Sequence, residues 1–326
     1  MIITRAPLRI SFAGGGTDLP IFYREFGGSV VSSTINKYVY IELHPFFYKD
    51  RLQLKYSQIE NINRYEDINH RLFREILKTN NVMGKELSCT ADLPAGTGMG
   101  SSAAFSVALL KAIDTEKGVF RSKSIIAQEA CKYEIDVLKM PVGKQDQYAS
   151  SYGGLNFIKF NEDETVEIEP VILKKDNKIM LDENLILFYT GIIRNSEDVL
   201  KDQIINYKKS LNNQKKLMEI GNLSKELRKE LLNNNIDAVG HYLNMNWILK
   251  REMSTKISSS KINDIYDHAI KNGASGGKLL GAGGGGFFMF YCKKECQGKL
   301  KKALNDYKVE PFNLENEGVK VIFGEK

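Results

Sequence analysis

Cysteine is scarce. Only Cys89, Cys131, Cys292 and Cys296 occur in 326 residues, too few and too scattered for a disulfide framework, which suits a reducing compartment and predicts a cytoplasmic protein. Cys292 and Cys296 do not make a Cys-x-x-Cys pair, and the histidines at 44, 70, 241 and 268 show no ligand spacing, so no zinc site is expected. No apolar run is long enough to span a bilayer. The N-terminal MIITRAPLRI carries Arg5 and Arg9 inside its apolar run and lacks a small-residue cleavage site, which argues against a signal peptide. Internal repeats and low-complexity tracts are missing too. The formal charge of +6 is not arranged for nucleic acid, because the lysines are spread through helical segments such as KKSLNNQKK (208 to 216) without interleaved aromatics. That is the pattern of a solvated helix face. Nucleic acid and membrane are therefore not expected as partners, and part of the positive excess can serve an anionic small molecule.

What is present reads as a soluble globular chain, 42% hydrophobic and 26% charged, long enough for one large or two ordinary domains. Residues 1 to 60 alternate as strands in IITRAPLRISF and GSVVSSTINKYVYIELHPFF. HRLFREILKTNN (70 to 81) sets Leu72, Phe73, Ile76 and Leu77 on one helical face, and the strand ELSCTADL follows. SSAAFSVALLKAIDTEKG predicts a buried helix, and SKSIIAQEACKYEIDVLK (122 to 139) another, capped by Ser122 or Ser124 and stopped at Pro141 and Gly143. LNFIKF and VEIEPVIL are strand-like. The polar stretch KKDNKIMLDEN (174 to 184) is the best boundary, dividing the chain into 1–180 and 181–326. Beyond it come the strand LILFYTG, helices from about 196 to 272 broken near Gly221 and at SSSK (258 to 261), the strand FFMFYC, a helix around CQGKLKKALNDY and the strand GVKVIFG. The alternation predicts an α+β protein.

Glycine is concentrated in three segments. In LPAGTGMGSSAA (93 to 104) three glycines stand at alternate positions ahead of two serines. Glycine admits positive φ and lets a ligand approach bare backbone, so amides can converge on an anion, most strongly at a helix start. A strained strand-to-helix turn is the plainer alternative. Ser101 and Ser102, in the first turn of the following helix, favour phosphate, since a hydroxyl there can cap the helix and ligate Mg²⁺. No lysine precedes the serine pair, as a Walker A loop requires, and the spacing is not the dinucleotide fingerprint. The other two segments are RAPLRISFAGGGTDLP (5 to 20) and SGGKLLGAGGGGFFMFYC (275 to 292). Taken singly, a run of four glycines before an apolar strand, as in the last of these, is most often a tight backbone crossing.

Together, in this order and spacing, the three segments resemble the motifs of the GHMP kinases, the superfamily of galactokinase, homoserine kinase, mevalonate kinase and phosphomevalonate kinase. The resemblance covers essentially the whole chain. With GKQDQYASSYGGLNFIKF and YTGIIRNSEDVL added, it is closest to the D-glycero-D-manno-heptose 7-phosphate kinases. It implies an N-terminal domain of the ribosomal-protein-S5-domain-2-like type, with a left-handed crossover, a C-terminal ferredoxin-like domain, and an active site between them. It also implies ATP and Mg²⁺ as cofactors and a sugar phosphate as substrate. The implied reaction gives a heptose 1,7-bisphosphate on a route to nucleotide-activated heptose for capsule, S-layer or lipopolysaccharide glycans. A monomer or homodimer is consistent with it.

Carried over position by position, the resemblance implies that Pro94, Ala95, Gly96, Thr97, Gly98, Met99, Gly100, Ser101 and Ser102 wrap the nucleotide phosphates. Ser102 and Glu134 would hold Mg²⁺, with Asp136 and Glu129 as alternatives to Glu134 in a shifted register. Asp146 matches the catalytic base, a duty compatible with capping the helix before QYAS. Arg9 matches an arginine near the transferring phosphate, where a fixed cation stabilises charge. Thr17 and Asp18 match the sugar-binding pair. Gly15 and Gly16 stand where galactokinases have Glu-His, a departure that removes a carboxylate and opens space for a longer, more negative sugar. Lys144, Arg194, Lys278 and Arg24 are candidates for a basic clamp on the sugar's phosphate, with Lys144 alternatively orienting Asp146. The third glycine segment is expected to support the active-site loop. Two other functions remain open: a kinase for a free sugar such as L-fucose, whose kinase domains carry a similar first motif, and a catalytically silent sugar and ATP sensor.

Overall fold

The computed structural model describes residues 1–193 and 195–324. Nine strands form one sheet: β1 (Ile2–Ala13), β2 (Gly28–Pro45), β3 (Leu52–Lys55), β4 (Ile59–Ile62), β5 (Lys85–Ala91), β6 (Leu155–Phe160), β7 (Val166–Pro170), β12 (Leu314–Glu315) and β13 (Lys320–Gly324). The main path runs β13-β1-β2-β5-β3-β4, and the long β2 also pairs with β6 and β12. Four further strands, β8 (Leu185–Tyr189), β9 (Gly276–Leu279), β10 (Phe287–Tyr291) and β11 (Lys308–Glu310), make an antiparallel sheet ordered β11-β8-β10-β9. With helices after its first and third strands, this is the split β-α-β-β-α-β arrangement of ferredoxin-like domains. The expected α+β class is what the chain adopts.

The helices are α1 (Pro20–Phe26), α2 (Arg71–Thr79), α3 (Ser101–Lys117), α4 (Lys123–Cys131), α5 (Gln145–Tyr152), α6 (Lys175–Asn184), α7 (Ser196–Lys209), α8 (Leu211–Leu232), α9 (Ala238–Arg251), α10 (Ser260–Lys271) and α11 (Gln297–Ala303). Strand β1 contacts α3 as well as α8 and α9, which explains why it is buried almost along its whole length. α2 buries the predicted stripe of Leu72, Phe73, Ile76 and Leu77, and Ser122 caps α4.

The polar stretch at 174 to 184, expected as the boundary, is mostly helix α6, which buries Leu181 and Asn184. Two local expectations need correction. Gly221 does not interrupt a helix but lies within α8, where a Cβ would come 3.3 Å from Thr17 Cγ2, so it permits close approach. The predicted helix from 122 to 139 stops being α-helical at Cys131 and continues as a π-helical turn, Lys132–Val137. Such turns re-aim side chains, and this one carries Glu134.

Strand β1 also has a break that matters for the site. Its register with β2 slips between Pro7 and Arg9, where proline contributes no donor to the ladder. The Arg9 amide instead donates to the Met99 carbonyl at 3.0 Å, tying the strand to the second glycine segment.

Candidate active site

Gly96, Gly98 and Gly100 all adopt positive φ, at 76°, 81° and 77°, so the loop can turn tightly into α3 with its backbone bare. Gly100 is the N-cap of α3, and no side chain caps that helix. The first-turn amides are therefore left for a ligand, at the positive end of a 17-residue helix. The third glycine segment braces this loop from behind. A Cβ on Gly98 would lie 2.4 Å from the Leu280 carbonyl oxygen, and one on Gly286 would lie 2.3 Å from that of Thr97. Two bare backbones pack together there.

Arg9 extends from the slipped segment of β1 and is almost wholly buried. Its Nε and Nη2 each donate to one carboxylate oxygen of Asp146 at 2.7 Å, while Nη1 donates to the Gly98 carbonyl at 2.6 Å. A bidentate fork of this kind fixes the carboxylate in position. Asp146 sits in the first turn of α5, and a Cβ on Gly100 would come 3.2 Å from its Oδ2.

Asp18 is held close by. Its Oδ1 accepts from the Gly16 amide at 2.9 Å and from Gln145 Nε2 at 3.1 Å, and its Oδ2 accepts from the Gln145 amide at 3.2 Å. Burial, followed by the neighbouring Asp146 charge, pushes its carboxyl above the ordinary range.

Glu134 is 1% exposed, accepting from Ser102 Oγ at 3.1 Å and Ser106 Oγ at 3.2 Å. Burial raises its pKa to about 7, although hydrogen bonds from Gln147, Ser102 and Ser106 pull the other way. A deeply buried carboxyl beside hydroxyls is a hard-oxygen donor set suited to Mg²⁺. Neither serine caps α3.

All of these groups face one cleft of about 720 Å³, which is lined by Arg9, Gly15, Gly16, Asp18, Glu134 and Asp146 together with the loop residues Ala95, Gly96, Gly98, Met99, Gly100, Ser101 and Ser102. A second wing of the cleft is flanked by Tyr56, His70, Thr90 and Phe105. There His70 lies 4.9 Å from the Phe105 ring, and burial pushes its imidazole below its usual value. Sequence reasoning did not single out this wing, nor Gln145, Ser106, Gln203 and Lys250. They belong to no glycine motif, and Gln203 and Lys250 come from helices α7 and α9, distant in the chain.

Other expected residues are placed behind the cleft wall. Thr17 is buried, donating to the Gly14 and Ser29 carbonyls at 2.8 and 3.0 Å, so it braces the first glycine segment. Thr97 donates to the Pro94 carbonyl at 2.9 Å, closing the loop on itself. The Lys144 ammonium turns away from the cleft, pairs with Glu164 and lies 4.5 Å over the Tyr23 ring. Arg24 pairs with the same Glu164 at 2.5 Å. Both are engaged by that one carboxylate, and neither lines the cleft. Arg194 lies outside the described residues. Lys278 sits on β9 rather than in a loop, 1% exposed, with Nζ 3.3 Å from Ser11 Oγ.

Known protein families match both parts of the chain. Residues 68–154 match the GHMP kinases N terminal domain and residues 227–309 match the GHMP kinases C terminal domain. The chain is 28% identical, over 98% of both lengths, to the D-glycero-alpha-D-manno-heptose 7-phosphate kinase of Campylobacter jejuni. It is 25% identical to the galactokinase of Thermosipho africanus over 93% of each chain. A crystal structure of a D-glycero-D-manno-heptose 1-phosphate kinase from Bacteroides thetaiotaomicron superimposes with a TM-score of 0.81 over the whole of both chains, at 22% identity, and so shares the fold. Among the described residues no helix is long and apolar enough to cross a membrane. With both family domains present in order, the chain belongs to the GHMP kinases and is an ATP-dependent sugar kinase of that family.

Proposed function

We propose that the protein transfers the γ-phosphate of ATP to the anomeric C1 hydroxyl of D-glycero-D-manno-heptose 7-phosphate, giving the 1,7-bisphosphate. The observation carrying this reading is the Arg9 fork, which aims the Asp146 carboxylate into the same cleft as the uncapped start of α3. Likeness across 98% of the Campylobacter jejuni heptose 7-phosphate kinase supports the choice of sugar.

In this reading the loop from Ala95 to Ser102 cups the triphosphate, and the wing beside Tyr56, His70 and Phe105 takes the base. Asp18, positioned by Gln145, binds sugar hydroxyls. Asp146 accepts the proton of the attacking hydroxyl, and Arg9 holds that carboxylate in line while its charge lies beside the developing negative charge. Ser102 and Glu134 would hold Mg²⁺, which when bound neutralises phosphate charge. Glu134 must lose its proton to do so. The product suits nucleotide-activated heptose synthesis in the cytoplasm.

A coupled ADP-release assay over a panel of sugars tests the proposal. Turnover of heptose 7-phosphate with a kcat/KM at least tenfold above that of free heptose, L-fucose and galactose is expected. Preferred turnover of a free sugar would select a free-sugar kinase, and binding without ADP release would select a sensor.

A further inference from the structure

Three basic side chains, Arg9, Lys250 and Lys278, gather at one end of the cleft, with the carboxylates of Asp146 and Asp18 beside them. Arg9 is matched by Asp146. Lys278 is fully buried, has no ion-pair partner among the described residues, and reaches Ser11 Oγ, a hydroxyl that itself lines the cleft. Burial pushes its ammonium well below the usual value, with the charges of Lys250 and Arg9 adding to the effect and that of Asp18 opposing it, so the three cations and Asp18 are close enough to feel one another. Lys250 projects from α9 into the cleft and donates to the Gly281 carbonyl at 2.5 Å. Gly15, Gly16, Gln203 and Lys250 border both the main cleft and a small recess beside Leu19 and Leu217. Gln203 is anchored by donating to the Ala282 carbonyl at 2.6 Å.

Buried like charges raise the free energy of the empty site, and a bound anion reverses that cost. Gly15 leaves room for such an anion. A Cβ there would meet nothing nearer than Ser11 Oγ at 3.7 Å and Gln145 Nε2 at 3.8 Å. We propose, resting on the sugar-phosphate reading of the same cleft, that Lys250, backed by Lys278 and Ser11 and opposite Gly15, binds the phosphate monoester already carried by the acceptor sugar. The α- and β-phosphates of the nucleotide lie instead at the start of α3, where the uncapped amides are.

The test compares sugar phosphates (heptose 7-phosphate, and hexose 6-phosphates as alternatives) with their unphosphorylated parents. Calorimetry and the ADP-release assay would be run on the full chain, on Lys250→Met and on Gly15→Glu. Gly15→Glu guards against misfolding of the first variant, since the new side chain enters open space. The wild type is expected to favour a phosphate ester over its neutral parent at least tenfold. Both variants should collapse that ratio towards one, with KM for ATP changed less than threefold. Retention of the ratio in both variants, its absence in the wild type, or a loss confined to ATP would each overturn the proposal. A Lys250-dependent preference for a hexose phosphate over heptose 7-phosphate would uphold the anion pocket while rejecting the heptose. Conversely, efficient heptose 7-phosphate turnover with an unchanged KM in both variants would uphold the heptose and reject the pocket.

Discussion

Asp146 is held at both oxygens by Arg9, and the same arginine is bonded to the phosphate loop through Gly98. A group held this firmly acts in one direction only, so replacing it should affect chemistry more than binding. Asp146→Asn is expected to lower kcat by about 10²- to 10⁴-fold while changing the calorimetric affinity for ATP little. Near-normal turnover would remove Asp146 from the reaction. Glu134 gives a second residue-scale prediction, with a pKa of about 7 against an ordinary 4.5. Between those values the folded protein keeps a proton that the unfolded chain has lost, so stability falls as pH rises through this window, by at most about 1.4 kcal/mol per pH unit. Protons compete with the metal in the same range. The Mg²⁺ concentration for half-maximal activity should fall from pH 6 to pH 8 and flatten above about 7. In Glu134→Gln the stability slope between pH 4.5 and 7 should become less negative than in the wild type and the pH dependence of the Mg²⁺ requirement should be lost, as read by urea unfolding and by Mg²⁺ titration. Asp146 and Arg9 are legible in the sequence because they sit in motifs. The position of Glu134 depends on a π-helical turn that periodicity does not reveal.

Among the elements, α3 and the loop before it carry the proposed phosphate site. The glycines of the second and third segments meet backbone to backbone, so a methyl group at this seam has nowhere to go. Gly98→Ala combines a φ of 81° with a Cβ 2.4 Å from the Leu280 carbonyl. We expect it to cost about 2 to 4 kcal/mol and to raise KM for ATP at least tenfold. Gly118 closes the far end of the same helix with a φ of 68° and nothing within 4 Å of its would-be Cβ. Gly118→Ala should cost only about 1 kcal/mol of stability with kcat and KM unchanged. If the two variants behaved alike, the seam would have no special role. The glycine runs announce that backbones come close, but only their packing shows that one run lies against the other.

Across the whole molecule, the chain closes on itself. The last strands, β12 and β13, leave the ferredoxin-like part and pair with β2 and β1, and one apolar core includes Leu8 and Leu110 together with Leu187, Leu243 and Met289. Residues 1–180 expressed alone would lack the partner on the outer edge of β1 and expose part of that core. This fragment is expected to be aggregation-prone, and co-expression with 181–326 should restore a single cooperative melting transition and ADP release. Two independent transitions in the intact chain would contradict a shared core. Sequence patterning found GVKVIFG as a strand, but strand pairing over more than 300 residues leaves no local trace.

By itself the sequence determined most of the strands and helices and that three glycine-rich stretches expose backbone, because these depend on local steric freedom and residue type, which neighbours in the chain specify. Arg9, Asp18, Glu134 and Asp146 became candidates for chemistry through the family resemblance of the motifs around them. Tertiary structure alone decided that Lys144 faces Glu164 rather than the cleft, that Thr17 is a brace, and that Lys250 lines the cleft. The direction of a long side chain is set by which distant carboxylate or carbonyl is within reach once the core has packed, and that geometry is written nowhere in the local sequence.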